Sequence, residues 1–181
     1  LESWKPLIEA WDDPWPAERM LAGLNRALAG NYAALSAVDC ALYDLQGKLA
    51  GLPMHRMLGL DPAGAPPSSF TIGIDTVDVV REKTREAADC GILKVKVGGP
   101  DDLDILRVVR EEAPEAVIRV DANCGWEARH ALEVIEVMAQ EGVEFVEQPL
   151  PPTDIEGQRW LYQRSPLPLM ADESCLRLED V

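Results

Sequence analysis

One lysine and three acidic residues recur in the second half of the sequence at nearly equal intervals. Lys96, Asp121, Glu147 and Asp172 are separated by steps of 25, 26 and 25 residues. Each follows a short run rich in β-forming residues, so each is predicted to lie at the C-terminal end of a strand. Such a regular step is typical of β/α units that build a barrel, whose active sites lie at that end of the strands. The spacing therefore predicts that the four side chains meet in one site.

The three acids indicate the chemistry that such a site could perform. Three carboxylates confined together without partners would be too costly to keep ionised, so they would either be protonated or hold a cation among them. Ligation by oxygen atoms alone favours a hard ion, and we predict that Asp121, Glu147 and Asp172 bind Mg²⁺, with Mn²⁺ as a substitute. The alternative for any single acid is a position at a strand end that faces solvent.

Two lysines lie within the apolar strand that precedes the first acid. Lys94 and Lys96 alternate with Leu93, Val95 and Val97. We therefore expect both lysines to point into the site while the apolar side chains face helices. Neighbouring ammonium groups disfavour each other's charge, which lowers a lysine pKa toward the range of a general base. The alternative is a lysine at a strand edge whose ammonium group extends into solvent.

The elements that must position these residues follow from the hydrophobic pattern. Apolar spacing predicts helices over 17–29 and 31–50, and a proline-rich loop over 61–69 marks a domain boundary. Short strands then alternate with amphipathic helices, which indicates an α/β fold with a parallel sheet, here part of a (β/α) TIM-type barrel. The predicted strands are 70–74, 93–97, 117–121, 145–147 and 169–171. The predicted helices between them are 76–88, 100–112, 126–141 and 154–163, with Pro100 in a first helical turn.

Composition argues against several other classes of protein. The net charge is −15 and no basic stripe is present, so nucleic-acid binding is not expected. No apolar run is long enough to predict a membrane span. The four cysteines form no zinc-ligand pattern with the two histidines, so we expect free thiols and a cytoplasmic protein.

Five short motifs, in this order and spacing, resemble the muconate-lactonizing branch of the enolase superfamily. Each motif alone is weak, and the set covers nearly the whole chain. The motifs are the helix 37–48, Lys94-Val95-Lys96, Asp121-Ala122-Asn123, Glu147-Gln148-Pro149 and Ala171-Asp172-Glu173-Ser174.

The resemblance implies a fold and a set of roles. Residues 1–66 would be the helical part of an α+β N-terminal capping domain, and residues 67–181 the first five β/α units of the barrel. Lys96 would be the catalytic base, tuned by Lys94, and the three acids would bind Mg²⁺ with support from Asn123 and Gln148. The reaction of the family removes the proton next to a substrate carboxylate, and the metal holds the resulting enediolate.

Within this branch the first strand and its flanks, residues 68–75, look most like dipeptide epimerases, including those acting on L-Ala-D/L-Glu. Thr71 would then lie at the mouth of the barrel near the substrate, and the alternative is that it serves only as a β-branched strand former. The expected partner is a small carboxylate, here a dipeptide, and homo-oligomerisation is left open. The competing activities are N-acylamino acid racemase, o-succinylbenzoate synthase and muconate cycloisomerase.

The sequence also departs from the family by omission. Five strands are predicted where a closed barrel has eight, and members of this branch carry a second catalytic lysine on the next strand. We therefore expect this sequence to be a piece of a longer protein that supplies that lysine and the residues that select the substrate. The alternative of another class is a truncated, non-catalytic fragment that keeps only the packing of the fold.

Overall fold

The computed structural model describes residues 2–176 and 178–181 of the 181-residue chain. The chain divides into two compact units, Leu1–Pro66 and Pro67–Val181. Among the described residues, no helix has both the length and the apolar character that crossing a membrane requires.

The first unit is helical and has its own small core. Its elements are α1 (Lys5–Glu9), α2 (Ala17–Ala27), α3 (Tyr32–Ala50) and α4 (Met54–Met57), with 3₁₀ turns at Glu2–Trp4 and Pro62–Gly64. The core forms where α2 and α3 pack together, with Trp4, Met20, Leu24 and Leu42 among its buried side chains. Helix α3 ends at Gly51, whose left-handed backbone (φ 67°) closes the last turn. The two helices predicted here are confirmed.

The second unit alternates strands and helices without interruption. In chain order it contains β1 (Phe70–Ile72), α5 (Val77–Glu86), β2 (Ile92–Lys96), α6 (Asp102–Glu112), β3 (Val117–Asp121), α7 (Ala128–Gln140), β4 (Val143–Glu147), α8 (Ile155–Tyr162) and β5 (Leu169–Met170). A short 3₁₀ helix, Leu178–Asp180, follows. All five predicted strands are present, and their ends differ from prediction by no more than two residues.

The sheet is parallel throughout, and its strands lie in chain order, β1-β2-β3-β4-β5. A doubly wound sheet would reverse its strand order at a switch point, whereas a barrel adds each new strand beside the last. The observed order is therefore that of a (β/α) barrel, and the residues that the structure describes contain five of its strands.

The two faces of the sheet differ in polarity, as the alternating sequence predicts. Leu93, Val95 and Val97 are at most 1% exposed and pack in one core with Ile118 and Val146. This apolar face is covered by helices, so the lysines between these residues lie on the opposite face. The face of the sheet that packs against the helices stabilises the unit through apolar burial. The opposite face is therefore available for polar groups.

One boundary differs from the prediction for a physical reason. Pro100 does not lie in the first turn of a helix, because α6 begins only at Asp102. The Asp102 carboxylate accepts hydrogen bonds from the backbone N–H groups of Gly98 and Gly99, both at 2.9 Å. These bonds hold residues 98–101 as a turn, and Gly98 takes a φ of 113° that glycine adopts most readily.

Candidate active site

The strand register brings the predicted base and two of the acids to one level of the sheet. Lys96 is in register with Asp121, and Asp121 with Glu147. Each is the last residue of its strand, on β2, β3 and β4. On β5 the partner of Glu147 is Met170, and Asp172 follows two residues later. All four predicted charged residues therefore lie at the C-terminal ends of adjacent strands.

The three acids converge closely enough to hold one ion. Asp121, Glu147 and Asp172 each offer a carboxylate oxygen, and these oxygens lie within 4.8 Å of one another. Asp121 is fully buried and Glu147 is 4% exposed, whereas Asp172 is exposed. The set contains oxygen donors alone, which is the ligand chemistry that Mg²⁺ and Mn²⁺ prefer.

The lysine ammonium groups lie against these acids. Lys94 Nζ is 2.8 Å from Asp121 Oδ2 and 2.6 Å from Glu147 Oε2. Lys96 Nζ is 2.6 Å from the same Asp121 oxygen. Positive charge thus already lies against Asp121 and Glu147 in this structure, and the oxygen donors of the three acids fit a divalent cation in the same surroundings.

Burial and hydrogen bonding move the pKa values of two acids in opposite directions. Burial by itself raises the pKa of Asp121, but hydrogen bonds from Lys94 and Lys96 outweigh it and hold that pKa below its usual value. Burial raises the pKa of Glu147. A hydrogen bond from Lys94 lowers it and the nearby charge of Asp121 raises it, so that the net pKa lies above its usual value. Of these two acids, Asp121 is therefore the one that more readily stays ionised.

The pairing of lysines does not have the predicted effect on Lys94. Burial lowers the pKa of Lys94, but its hydrogen bonds to Asp121 and Glu147 raise it by more, so the net pKa lies above the usual value. The prediction of a lowered pKa is wrong for this lysine, because neither the spacing nor the alternation of residues shows that its ammonium group lies against two carboxylates. In this arrangement Lys94 is held as a cation.

Asn123 connects Lys96 to the acids. It lies in a turn with φ values of 43° at Asn123 and 66° at Cys124, both in the left-handed region. Its backbone N–H donates to Asp121 Oδ1 at 2.9 Å, and its side-chain Oδ1 accepts from Lys96 Nζ at 2.7 Å. Asn123 therefore positions both residues from one short turn.

Gln148 holds the segment that carries Asp172. Its side chain is 1% exposed, and its Oε1 accepts hydrogen bonds from the backbone N–H groups of Asp172 at 2.9 Å and Ser174 at 3.1 Å. Its Nε2 donates to Ser174 Oγ at 2.6 Å and to the Leu150 carbonyl at 2.8 Å. Because β5 contains only two residues, these side-chain bonds rather than sheet pairing fix the position of Asp172.

Thr71, which was predicted at the mouth of the barrel near the substrate, lies on the same face of the sheet as the lysines. It pairs with Lys94, which in turn pairs with Arg119, whereas Lys96 and the acids lie one level closer to the strand ends. Thr71 is exposed, and β1 continues beyond it to Ile72. Thr71 therefore lies beside Lys94 on the site face of the sheet, and its nearness to a substrate stays a prediction.

A buried contact that sequence reasoning missed lies behind the site. Asp102, which is 4% exposed, also accepts a hydrogen bond from Trp126 Nε1 at 2.9 Å. Because Asp102 binds the loop after Lys96 and Trp126 follows Asn123, the contact ties together the loops after β2 and β3. The glycines in these loops allow a close approach, since a Cβ on Gly125 would lie 2.8 Å from the Cα of Gly98. The glycines at 98, 99 and 125 were the only sequence signal for this contact.

Cys124 is near the acids but is not suited to act as a nucleophile. Burial raises the pKa of its thiol, and the nearby Glu173 carboxylate raises it further. All four cysteines are free in this structure. Cys124 therefore remains a protonated thiol at neutral pH.

Comparison with protein families gives matches in both units. Residues 76–181 match the family described as "Enolase C-terminal domain-like". Residues 10–59 match the "Mandelate racemase / muconate lactonizing enzyme, N-terminal domain". The first of these matches covers more than half of the chain.

Individual relatives agree with these matches. The chain is 43% identical to the L-Ala-D/L-Glu epimerase of Bacteroides thetaiotaomicron over 96% of this chain and 46% of that protein. The dipeptide epimerase of Enterococcus faecalis, solved with Mg and L-Leu-L-Tyr, is 32% identical with a TM-score of 0.79, over 93% of this chain and 49% of that one. The dipeptide epimerase of Cytophaga hutchinsonii, solved with Mg and D-Ala-L-Val, is 28% identical with a TM-score of 0.78, over 93% of this chain and 47% of that one. The chain thus spans about half the length of the relatives it matches.

Proposed function

The chain belongs to the enolase superfamily, in its mandelate racemase and muconate lactonizing enzyme branch, and we propose that the protein carrying it is a Mg²⁺-dependent dipeptide epimerase. Residues 1–66 are proposed to be the helical part of its capping domain, and residues 67–181 the first five β/α units of its barrel. The substrate is proposed to be a dipeptide, because relatives over nearly the whole chain are named as epimerases of such compounds.

One observation carries the proposal. A lysine amine and a fully buried acid of the candidate metal centre are in direct contact, with Lys96 Nζ 2.6 Å from Asp121 Oδ2. Removing the proton next to a carboxylate requires a base within reach of the α-carbon and positive charge at the carboxylate oxygens. The contact supports this reaction because it places a base beside the acids that would hold such a charge.

Each residue of the site has a task in the proposed reaction. Asp121, Glu147 and Asp172 would hold Mg²⁺, which when bound stabilises the negative charge that develops on the substrate carboxylate. Lys96, in its neutral form, takes the α-proton from one face of the substrate. Asn123 holds the Lys96 amine in place through its Oδ1.

The proposal also gives a role to Lys94 and to a second proton-transfer group on the opposite face of the substrate. Lys94 keeps a positive charge at the site, because burial lowers its pKa but its hydrogen bonds to Asp121 and Glu147 raise it by more. Epimerisation also needs a group that returns the proton from the other face. We propose that a lysine on the strand following β5 does so, as the family resemblance implies.

The test is proton exchange in the full-length protein. A library of L,L-dipeptides is incubated in D₂O with Mg²⁺ and followed by mass spectrometry. We expect deuterium at the α-carbon of the C-terminal residue of at least one dipeptide, together with its epimer. Turnover of an N-acylamino acid, a muconate or an o-succinylbenzoate precursor, without exchange in any dipeptide, would replace this substrate assignment with one of the competing activities. The absence of all turnover would favour a non-catalytic protein.

A further inference from the structure

Glu173 follows the third candidate metal ligand and has been given no role so far. Its Oε1 accepts a hydrogen bond from Asn123 Nδ2 at 3.2 Å. The other end of the same amide, Asn123 Oδ1, accepts from Lys96 Nζ at 2.7 Å. We infer that Glu173 is a positioning residue that acts on Lys96 through the Asn123 amide. This inference rests on the proposed function, in which Lys96 is the base.

The chemistry of an amide explains why a third residue is needed. The side chain of asparagine has one accepting end and one donating end, and a rotation of 180° exchanges them. In the rotated state the Asn123 NH₂ group would face Lys96, where it would meet the N–H donors of the ammonium form or occupy the lone pair of the neutral amine that takes the proton. The Glu173 carboxylate only accepts hydrogen bonds when ionised, so it selects the orientation in which Oδ1 faces Lys96.

The backbone on both sides of Glu173 is held in place. The N–H groups of Asp172 and Ser174, its two neighbours, both donate to Gln148 Oε1. The turn that carries Asn123 is fixed separately, since the Cys124 N–H donates to the Gln148 carbonyl at 2.8 Å. Glu173 and Asn123 are therefore presented to each other by backbone segments that a single residue, Gln148, joins.

The second carboxylate oxygen of Glu173 supports a functional role. Oε2 is buried and has no hydrogen-bond partner among residues 2–176 and 178–181. Burying a carboxylate oxygen without a partner costs free energy, so a residue with packing as its only task would be better uncharged. The charge is explained if the carboxylate is needed to orient the Asn123 amide.

The test compares Glu173→Ala with Glu173→Gln in the full-length protein. Glutamine keeps a carbonyl oxygen that can accept from Asn123 Nδ2, whereas alanine removes the acceptor. Glu156→Ala is the matched control, because it deletes an exposed carboxylate on another element, α8. Thermal unfolding and Mg²⁺ binding by calorimetry are measured in all variants to confirm that the fold and the metal centre are retained.

The first readout does not depend on activity. The side-chain ¹⁵N–¹H resonances of Asn123, assigned through their loss in Asn123→Asp, are recorded with Mg²⁺ alone. We expect them to move toward the values of a solvent-exposed asparagine in Glu173→Ala and to stay near the wild-type values in Glu173→Gln and Glu156→Ala. Unchanged resonances in Glu173→Ala would overturn the inference, whether or not the protein epimerises dipeptides.

The second readout is the rate of exchange that Lys96 performs. With a dipeptide that the wild-type protein epimerises, Glu173→Ala should lower kcat for exchange on the Lys96 face about tenfold, with KM within about twofold of wild type. Glu173→Gln should restore most of that rate. A rise in KM with unchanged kcat would mean that Glu173 contacts the substrate instead, and an unchanged rate would exclude a positioning role. Failure of the wild-type protein to exchange any dipeptide would reject the proposed function, and the resonances would then decide on the contact by themselves.

Discussion

At the residue scale, the site depends on the unequal surroundings of its two lysines. Lys94 contacts two buried acids and is held as a cation. Lys96 contacts one of these acids and the Asn123 amide. Lys96, at the strand end, therefore has one carboxylate partner fewer than Lys94. This difference suits Lys96 to the proposed role of the base.

The first prediction concerns Lys96. Lys96→Ala should lower the rate of α-proton exchange on one face of the substrate by at least about a hundredfold, because a positioned general base contributes that much or more. Exchange is measured in D₂O by stereochemically resolved NMR of the dipeptide. Lys48→Ala is the matched control, since Lys48 is an exposed lysine paired with Asp44 in the first unit. Undiminished exchange on both faces in Lys96→Ala would assign the proton transfer to another residue.

At the scale of elements, the strands bring the charged residues to one level, and the loops after the strands determine where their side chains point. The loops after β2 and β3 are joined by Asp102, which accepts from Gly98, Gly99 and Trp126. The loop after β4 carries Gln148, which holds the loop after β5. Adjacent loops are thus linked in pairs through buried polar side chains.

The second prediction tests the link made by Asp102. Asp102→Ala leaves three donors without their acceptor, at least one of them buried, and should lower the free energy of unfolding by about 1–3 kcal/mol. It should also reduce the exchange rate, because Lys96 is two residues before this loop. The measurements are urea unfolding and the exchange assay. Asp104→Ala, which removes an exposed acid from the same helix, is the control and should change both by little. Equal effects of the two substitutions would show that the buried contact does not support the site.

At the scale of the whole molecule, three strands of one sheet contribute the acids that would bind the metal. Asp121 and Glu147 are the last residues of neighbouring strands, and Asp172 follows the end of the next strand by two residues. A ligand that binds only the folded state stabilises that state. Metal binding at this site should therefore stabilise the whole second unit against unfolding.

The third prediction follows from that linkage. Mg²⁺ at about 100 times its Kd should stabilise the full-length protein by about 2.7 kcal/mol, observed as a rise in Tm. Asp121→Asn and Glu147→Gln should abolish both this rise and the heat of Mg²⁺ binding in calorimetry. Asp78→Asn, at an exposed position on α5, should behave as wild type. A Tm that rises equally in all three variants would place the Mg²⁺ site elsewhere.

The sequence by itself determined the fold and the identities of the charged residues that converge. The step of 25 or 26 residues between charged residues corresponds to one β/α unit with one strand. The alternation of Lys94 and Lys96 with apolar residues places both lysines on one face of the sheet and the apolar residues on the other. Both are local patterns, because strand periodicity and the length of a β/α unit do not depend on distant contacts. The family matches agree with the resemblance that these motifs carry.

Only the tertiary structure decided how those residues interact. The raised pKa of Lys94, the level at which Thr71 lies and the start of α6 all depend on partners that are distant in sequence or on loop geometry. Asp102 meets Trp126 across 24 residues, and Asn123 meets Glu173 across 50. The hydrophobic periodicity of the sequence does not predict such pairs. A hydrogen bond between loops depends on backbone turns such as the left-handed conformations at Asn123 and Gln148. The residues of the site can therefore be predicted from spacing, whereas their orientation and charge follow from the contacts between loops.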